Sequence, residues 1–189
     1  MNMKRIIVII AMAMLTVSAF AQQKFAHVNF SELVQLCPEA DEARATMAAS
    51  QKEVQATFNE LVGEYNTKYE QYQSKASTWT ASIRESKEKE LVQIQQRIQE
   101  FQQSVDAELQ QQNQNLMAPI YEKVNKTIQD LAKAGAYVYV FDVSTVIYVD
   151  ATQSTDLTVE ARKVLGIPEG RTLETLQQEL QAQALAEAE

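Results

Sequence analysis

The chain has 189 residues, with 25 acidic against 17 basic side chains and a formal net charge of −8. Such a surface carries no nucleic-acid footprint and repels anionic lipid and polyphosphate. With one His, one Cys and four Gly, the sequence offers no metal-ligand cluster, no nucleophile and base pair and no glycine-rich phosphate loop, so no enzyme, cofactor or metal is expected.

The opening "MNMKRIIVIIAMAMLTVSAFAQQ" places Lys4 and Arg5 before an apolar run from Ile6 to Val17 and the small residues Ala19 and Ala21. This is the layout of a signal peptide, too short for a spanning helix, and it predicts export, cleavage after Ala21 and no stable membrane insertion. Loss of residues 1–21 removes two basic groups and takes the charge from −8 to −10. Residues 22–167 then read as one domain and 168–189 as a tail. Cys37 has no partner for a disulfide within the chain and reads as a small core hydrophobe beside Pro38. His27, in "FAHVNF", reads as a partly buried strand histidine.

A strand is predicted over 25–30, followed by a helical hairpin over about 39–134. Ala40, Ala43, Met47, Val54, Phe58, Leu61, Val62, Tyr65, Tyr69, Tyr72, Ala76 and Trp79 fall on one arc of about 100° at the helical period. The phase breaks in "SKASTWTASIRE", where Ser82 and Glu85 have capping-box spacing, so a turn is expected near 77–82. Leu91, Ile94, Ile98, Phe101, Val105, Leu109, Leu116 and Ile120 form the second stripe. Two such helices of about 40 residues bury their stripes against each other along roughly 60 Å. Pro119 predicts a bend, and Gly135 a left-handed cap. Ten Gln between Gln93 and Gln114 give the second helix a neutral, hydrophilic outer face. Residues 64–90 balance five acidic against five basic groups, the part of the arm least repulsive to an acidic partner.

"AYVYVFDVSTVIYVDAT" predicts strands at 137–142 and 145–150, joined as a hairpin and apolar on both faces. A short helix follows at 156–165, with Thr155 or Asp156 as cap and Val159, Val164 and Leu165 as its apolar residues. The tail is a weak helix or a disordered extension. Three strands are too few for a stable buried sheet, and the arms use their own stripes. Another copy of the chain therefore has to complete the body, with Phe25, Val28, Phe30, Val138, Val140, Ile147 and Val149 as the candidate self-association residues. The class is α+β, a long antiparallel helical hairpin on a small β body.

The order of signal peptide, strand, long hairpin, "LMAPIYEKVNKTIQDLAK", two strands and "DLTVEARKVLGI" resembles the Skp/OmpH family of periplasmic chaperones over residues 24–167. "FAHVNFSELV", the Pro119-Ile120 step with Lys123 and Val124, and the strand pair ending in Asp150 carry the resemblance. It implies a periplasmic homotrimer whose strands share one β-barrel and whose helical arms surround a cavity. Unfolded outer-membrane β-barrel proteins would be held there without ATP. Tyr65, Tyr69, Tyr72, Trp79 and Ile83 near the arm tip are then candidates for client contact as well as for the seam. The acidic charge departs from the basic character of the best-known member and speaks against anionic lipid or lipopolysaccharide binding. A structural spacer or adaptor of the cell envelope is the other reading of a long hairpin, although adaptors usually carry further β-domains around it.

Overall fold

The computed structural model describes residues 23–188; the predicted cleavage point after Ala21 lies outside the described residues. The chain divides into two compact units. One is built from the two ends of the chain, up to Gln35 and from Val124 onward, and the other from Leu36–Lys123.

In the first unit, β1 (Lys24–Val28) alternates as a half-buried strand should, with Ala26 and Val28 buried and Phe25 and His27 half-buried on the opposite face. It stops at Val28, short of the predicted residue 30, because Asn29 caps a helix, α1 (Phe30–Leu36). Asn29 Oδ1 accepts the Glu32 N–H at 3.0 Å, and Asn29 Nδ2 donates to Glu32 Oε2 at 3.2 Å. That reciprocal pair satisfies one orphan helix donor and ends the strand. Phe30, assigned to the strand from sequence, is therefore the first residue of a helix.

β2 (Tyr137–Asp142) and β3 (Ser154–Asp156) both pair with β1, in parallel, in the order β2-β1-β3. The expected hairpin of 137–142 with 145–150 does not form, and 145–150 holds no strand. Asp142 turns the chain away from the sheet: its Oδ1 accepts the Ser144 N–H at 3.1 Å and its carbonyl the Thr145 N–H at 3.0 Å. Asp150 makes the next turn, accepting the Thr152 N–H on Oδ1 at 2.8 Å and the Ser154 N–H on its carbonyl at 3.0 Å. Strong β propensity in "STVIYV" thus yields to two Asp-based turns.

Beyond β3, helix α4 spans Thr158–Leu165. Of the two candidate caps, Asp156 bonds the helix start, its Oδ1 accepting the Thr158 N–H at 2.8 Å. Leu157, Ala161 and Leu165, four apart, form its buried face, whereas Val159 and Val164, named with Leu165 as the helix's apolar residues, are exposed. Gly166, at φ 74°, closes the helix in the left-handed region. The tail forms α5 (Leu173–Ala188), with Leu176 buried. Arg162 fixes this corner by donating to Glu32, to the Arg171 carbonyl and, at 3.0 Å, to the Pro168 carbonyl.

The second unit is an arm made of α2 (Pro38–Lys75) and most of α3 (Ala81–Gly135). Pro38 occupies the first turn of α2, where its missing N–H costs nothing. α3 runs unbroken through Pro119. Its start is bonded by Thr80, whose Oγ1 accepts the Ile83 N–H at 3.4 Å, rather than by Ser82, which lies inside the helix. The two helices run antiparallel: Gln112 Nε2 donates to Ser50 Oγ at 2.9 Å, Arg97 pairs with Glu64 at 2.6 Å, and Lys68 pairs with Glu90. Partner numbers fall along one helix as they rise along the other. At the far end of α3 the left-handed residue is Ala136, at φ 55°, and not Gly135. Gly135 is required for a different reason: a Cβ there would stand 2.2 Å from the Tyr137 ring.

Candidate functional site

Two surfaces present what the sequence singled out. The first is a face of the parallel sheet. Register pairs Phe25 with Tyr139 and His27 with Phe141 on one side, and Phe25 with Ser154 and His27 with Asp156 on the other. The rings of Phe25 and Tyr139 stack at 6.3 Å, and those of Tyr139 and Phe141 at 5.9 Å. The His27 ring bonds Ser154 Oγ through Nδ1 at 2.8 Å. Tyr139 is 59% and Phe141 42% exposed, a large aromatic area for a soluble surface.

The seven predicted self-association residues divide. Phe25 lies on this aromatic face. Val28 is buried in the unit's own core, and Val140 shares its side of the sheet through the Ala26 pairing. Val138 falls in a register shift between Lys24 and Phe25 and is 49% exposed. Ile147 is fully exposed in the connection after β2, where half-buried Val149 also lies, and Phe30 is half-buried on α1. Tyr139 and Phe141 were missed as candidates; their signal was the aromatic alternation at 137, 139 and 141, which marks one face of a strand.

The second surface is the arm. Ile94 and Ile120 are buried in its seam, while Val54, Phe58, Leu61, Val62, Phe101, Val105 and Leu109 are only half-buried. A groove of about 300 Å³ between Val54 and Phe101 interrupts the packing. Nearer the turn, Tyr65 and Tyr69 stack at 5.9 Å, and Tyr72 meets Trp79 edge-on at 6.0 Å. Tyr69 and Ile83 are exposed; Tyr65, Tyr72 and Trp79 are half-buried. So four of the five proposed contact residues form two ring pairs, and Ile83 supplies separate apolar surface. Val92, which sequence reasoning passed over because it stands off the stripe, is 61% exposed.

Polar links fasten this end of the arm. Glu90 accepts from Lys68 and Lys87, which holds its carboxyl down at about 2. Tyr72 donates its hydroxyl to Glu88, and the carboxylate raises the phenol above its ordinary value. At the opposite end Cys37, fully buried, donates its thiol to Glu39 Oε2 at 2.8 Å, while Glu39 Oε1 pairs with Lys123. Burial first, and then the bond to the carboxylate, push the Cys37 thiol up to about 11. The thiol and Lys123 hold Glu39 at about 2. A thiolate is therefore disfavoured, and Cys37 is a packing residue rather than a nucleophile. Among the described residues no group of three or more His, Cys, Asp or Glu side chains is placed to hold a metal ion, and no helix is long and apolar enough to cross a membrane.

The family described as outer membrane protein (OmpH-like) matches residues 24–165. The chain belongs to the OmpH-like family. Among solved structures similar to it is a candidate outer membrane chaperone (OmpH-like) from Caulobacter crescentus CB15. The two share 17% sequence identity at a TM-score of 0.64, over 77% of this chain and 85% of that one. At that identity the likeness is one of fold. No curated protein matches the chain. The family match ends at residue 165, so α5 lies beyond the matched residues.

Proposed function

We propose that this OmpH-like chain is an ATP-independent periplasmic holdase. It works as a homotrimer whose arms shelter unfolded outer-membrane β-barrel proteins until they are handed on. The observation that carries the reading is the arm: two long antiparallel helices with an incompletely sealed seam and, near the turn, aromatic side chains half exposed amid balanced charge. Unfolded barrel strands expose apolar side chains and open backbone edges, the combination that aggregates. Many weak aromatic and aliphatic contacts hold such a segment without trapping it, which release requires. Export fits the amino-terminal signal layout, and self-association fits the uncovered aromatic sheet face.

The test is to dilute a urea-denatured outer-membrane β-barrel protein into buffer containing purified residues 22–189, without nucleotide, and to follow light scattering. Suppression that saturates near one trimer per client is the expected result. A folded, oligomeric protein that leaves scattering unchanged would overturn the reading and favour an envelope spacer.

A further inference from the structure

The grooves between α2 and α3 differ in the cations they hold. Near the turn, a groove lined by Glu64, Glu90 and Ile94 contains Arg97, which pairs with Glu64, while Glu90 is held by Lys68 and Lys87. Beside Pro119, at the other end of the arm, a groove contains Lys123, paired with Glu39. Midway lies the groove of about 300 Å³ lined by Val54, Phe101, Val105 and Leu109, with Glu53 and Glu108 beside them and no Lys, Arg or His. Glu53 and Glu108 are both exposed, and among the described residues neither forms an ion pair.

The middle groove has a cause in the sequence. The apolar arc of α2 passes from Met47 to Val54 with Ser50 between them, and Thr57 stands beside the next apolar residue, Phe58. Two short polar side chains there leave Phe101, Val105 and Leu109, spaced four apart on α3, only half-buried. Ser50 and Gln112 bond each other at 2.9 Å and close one end.

Charge selects the occupant. Two unpaired carboxylates beside an apolar floor repel anions, acidic peptides and the arm of a second copy, which presents the same two carboxylates. They attract an apolar segment that carries Lys or Arg next to its apolar side chains. The apolar groups of such a segment cover Phe101 and Val105, while its cations reach the two carboxylates. Among the described residues, no third His, Cys, Asp or Glu joins Glu53 and Glu108 to hold a metal ion.

We propose that this groove is a client subsite for extended apolar segments flanked by basic residues. The inference rests on the holdase reading of the arm and gives that arm a preference in sequence. A barrel strand alternates apolar with polar side chains, so a basic residue next to an apolar one is a common pattern in such a client before it folds. Val54, Phe101, Val105 and Leu109 supply contact that tolerates many sequences, and Glu53 and Glu108 choose among them. Because both carboxylates are open to water, together they favour a basic segment over a neutral one by about tenfold at low salt. Screening removes the preference in about 1 M salt, where charges act over only about 3 Å.

The experiment is fluorescence anisotropy of three labelled peptides that share a Phe-Val-Thr core and are flanked by Lys, by Gln or by Glu, titrated with the full mature chain at low salt. The wild type is compared with Glu53→Gln/Glu108→Gln and with Glu70→Gln/Glu122→Gln, which removes the same charge from exposed arm positions outside the groove. Glu53→Lys/Glu108→Lys reverses the sign of the groove, and circular dichroism checks that each variant is folded. The Lys-flanked peptide is expected to bind the wild type about tenfold more tightly than the Gln-flanked one. That preference should vanish in the first variant, persist in the second and turn toward the Glu-flanked peptide in the third. Equal binding of the three peptides to the wild type, absence of binding, or equal loss in both Gln variants overturns the subsite. Light scattering with a denatured client separates the two readings. A wild type that suppresses aggregation without preferring the Lys-flanked peptide loses the subsite and keeps the holdase; one that shows the preference without suppressing aggregation keeps the peptide site and loses the holdase.

Discussion

Gly135 and Ala136 stand side by side where α3 ends. Ala136 sits at φ 55°, a region that costs an L-residue with a Cβ about 1 kcal/mol or more. At the neighbouring Gly135, a Cβ would stand 2.2 Å from the Tyr137 ring, so an alanine there forces the ring to shift. Ala136→Gly is therefore expected to stabilise the chain by about 1 kcal/mol, raising the melting temperature by roughly 2–4 °C. Gly135→Ala is expected to cost about 1 kcal/mol while Tyr137 is present and much less in a Tyr137→Ala background. Thermal melts of the four variants check both. If Gly135→Ala costs the same in the two backgrounds, the ring is not the reason for the glycine. Cys37 yields a third expectation: with its thiol buried and held near 11, a thiol-reactive dye at pH 8 labels it only after denaturation. Rapid labelling of the native chain would contradict that.

The elements show which signals survive in a sequence and which do not. The two long helices were legible because a single apolar arc persists over ten turns, and the short helix 158–165 because its spacing is helical. The end of β1 was misplaced although Asn29 and Glu32 stood in the sequence as a capping box; the apolar character of Phe30 masked it. The 145–150 strand failed for a related reason: β propensity reports a side chain that fits a pleat, and says nothing of the Asp142 and Asp150 turns that divert the backbone. Pairing β1 with segments more than a hundred residues away was beyond any local pattern. For the candidate site, the aromatic ring pairs fell on named residues, while the face formed by Tyr139, Phe141 and His27 needed the parallel register to appear. The arm itself is expected to weaken in acid. Glu39 and Glu90 lie at about 2 when folded, against an ordinary 4.5. A lowered carboxyl stabilises the folded state above the ordinary value, and that contribution is lost as pH falls from about 4.5 through 2. Both ion pairs are partly open to water, so each is worth about 0.5 kcal/mol. The melting temperature should decline across that window, and it should decline less for a Glu39→Gln, Glu90→Gln variant. Parallel declines would place the acid sensitivity elsewhere.

At the scale of the whole molecule, the central expectation is that one chain is not the functional particle. The body unit leaves Tyr139 and Phe141 exposed, while Ala26 and Val28 on the other side of β1 are buried. That asymmetry chooses the mutation. A charge at Val140 would enter the side of the sheet that holds Ala26 and damage the unit's own core, so lost assembly would be indistinguishable from lost folding. A charge at Tyr139 enters only the open face. Covering such a side chain is worth about 2 kcal/mol, roughly 30-fold in association per copy. Tyr139→Asp is therefore expected to give a folded chain of monomer mass by light scattering coupled to size exclusion. Gln103→Asp, an exposed change on the arm, is expected to keep the wild-type mass. Circular dichroism of Tyr139→Asp should match the wild type, because the helices that dominate the signal do not depend on that ring. A Tyr139→Asp chain that keeps the wild-type oligomer would remove the aromatic face from the assembly. A monomer that still suppresses client aggregation would instead show that a single arm suffices and that enclosure between copies is not the mechanism.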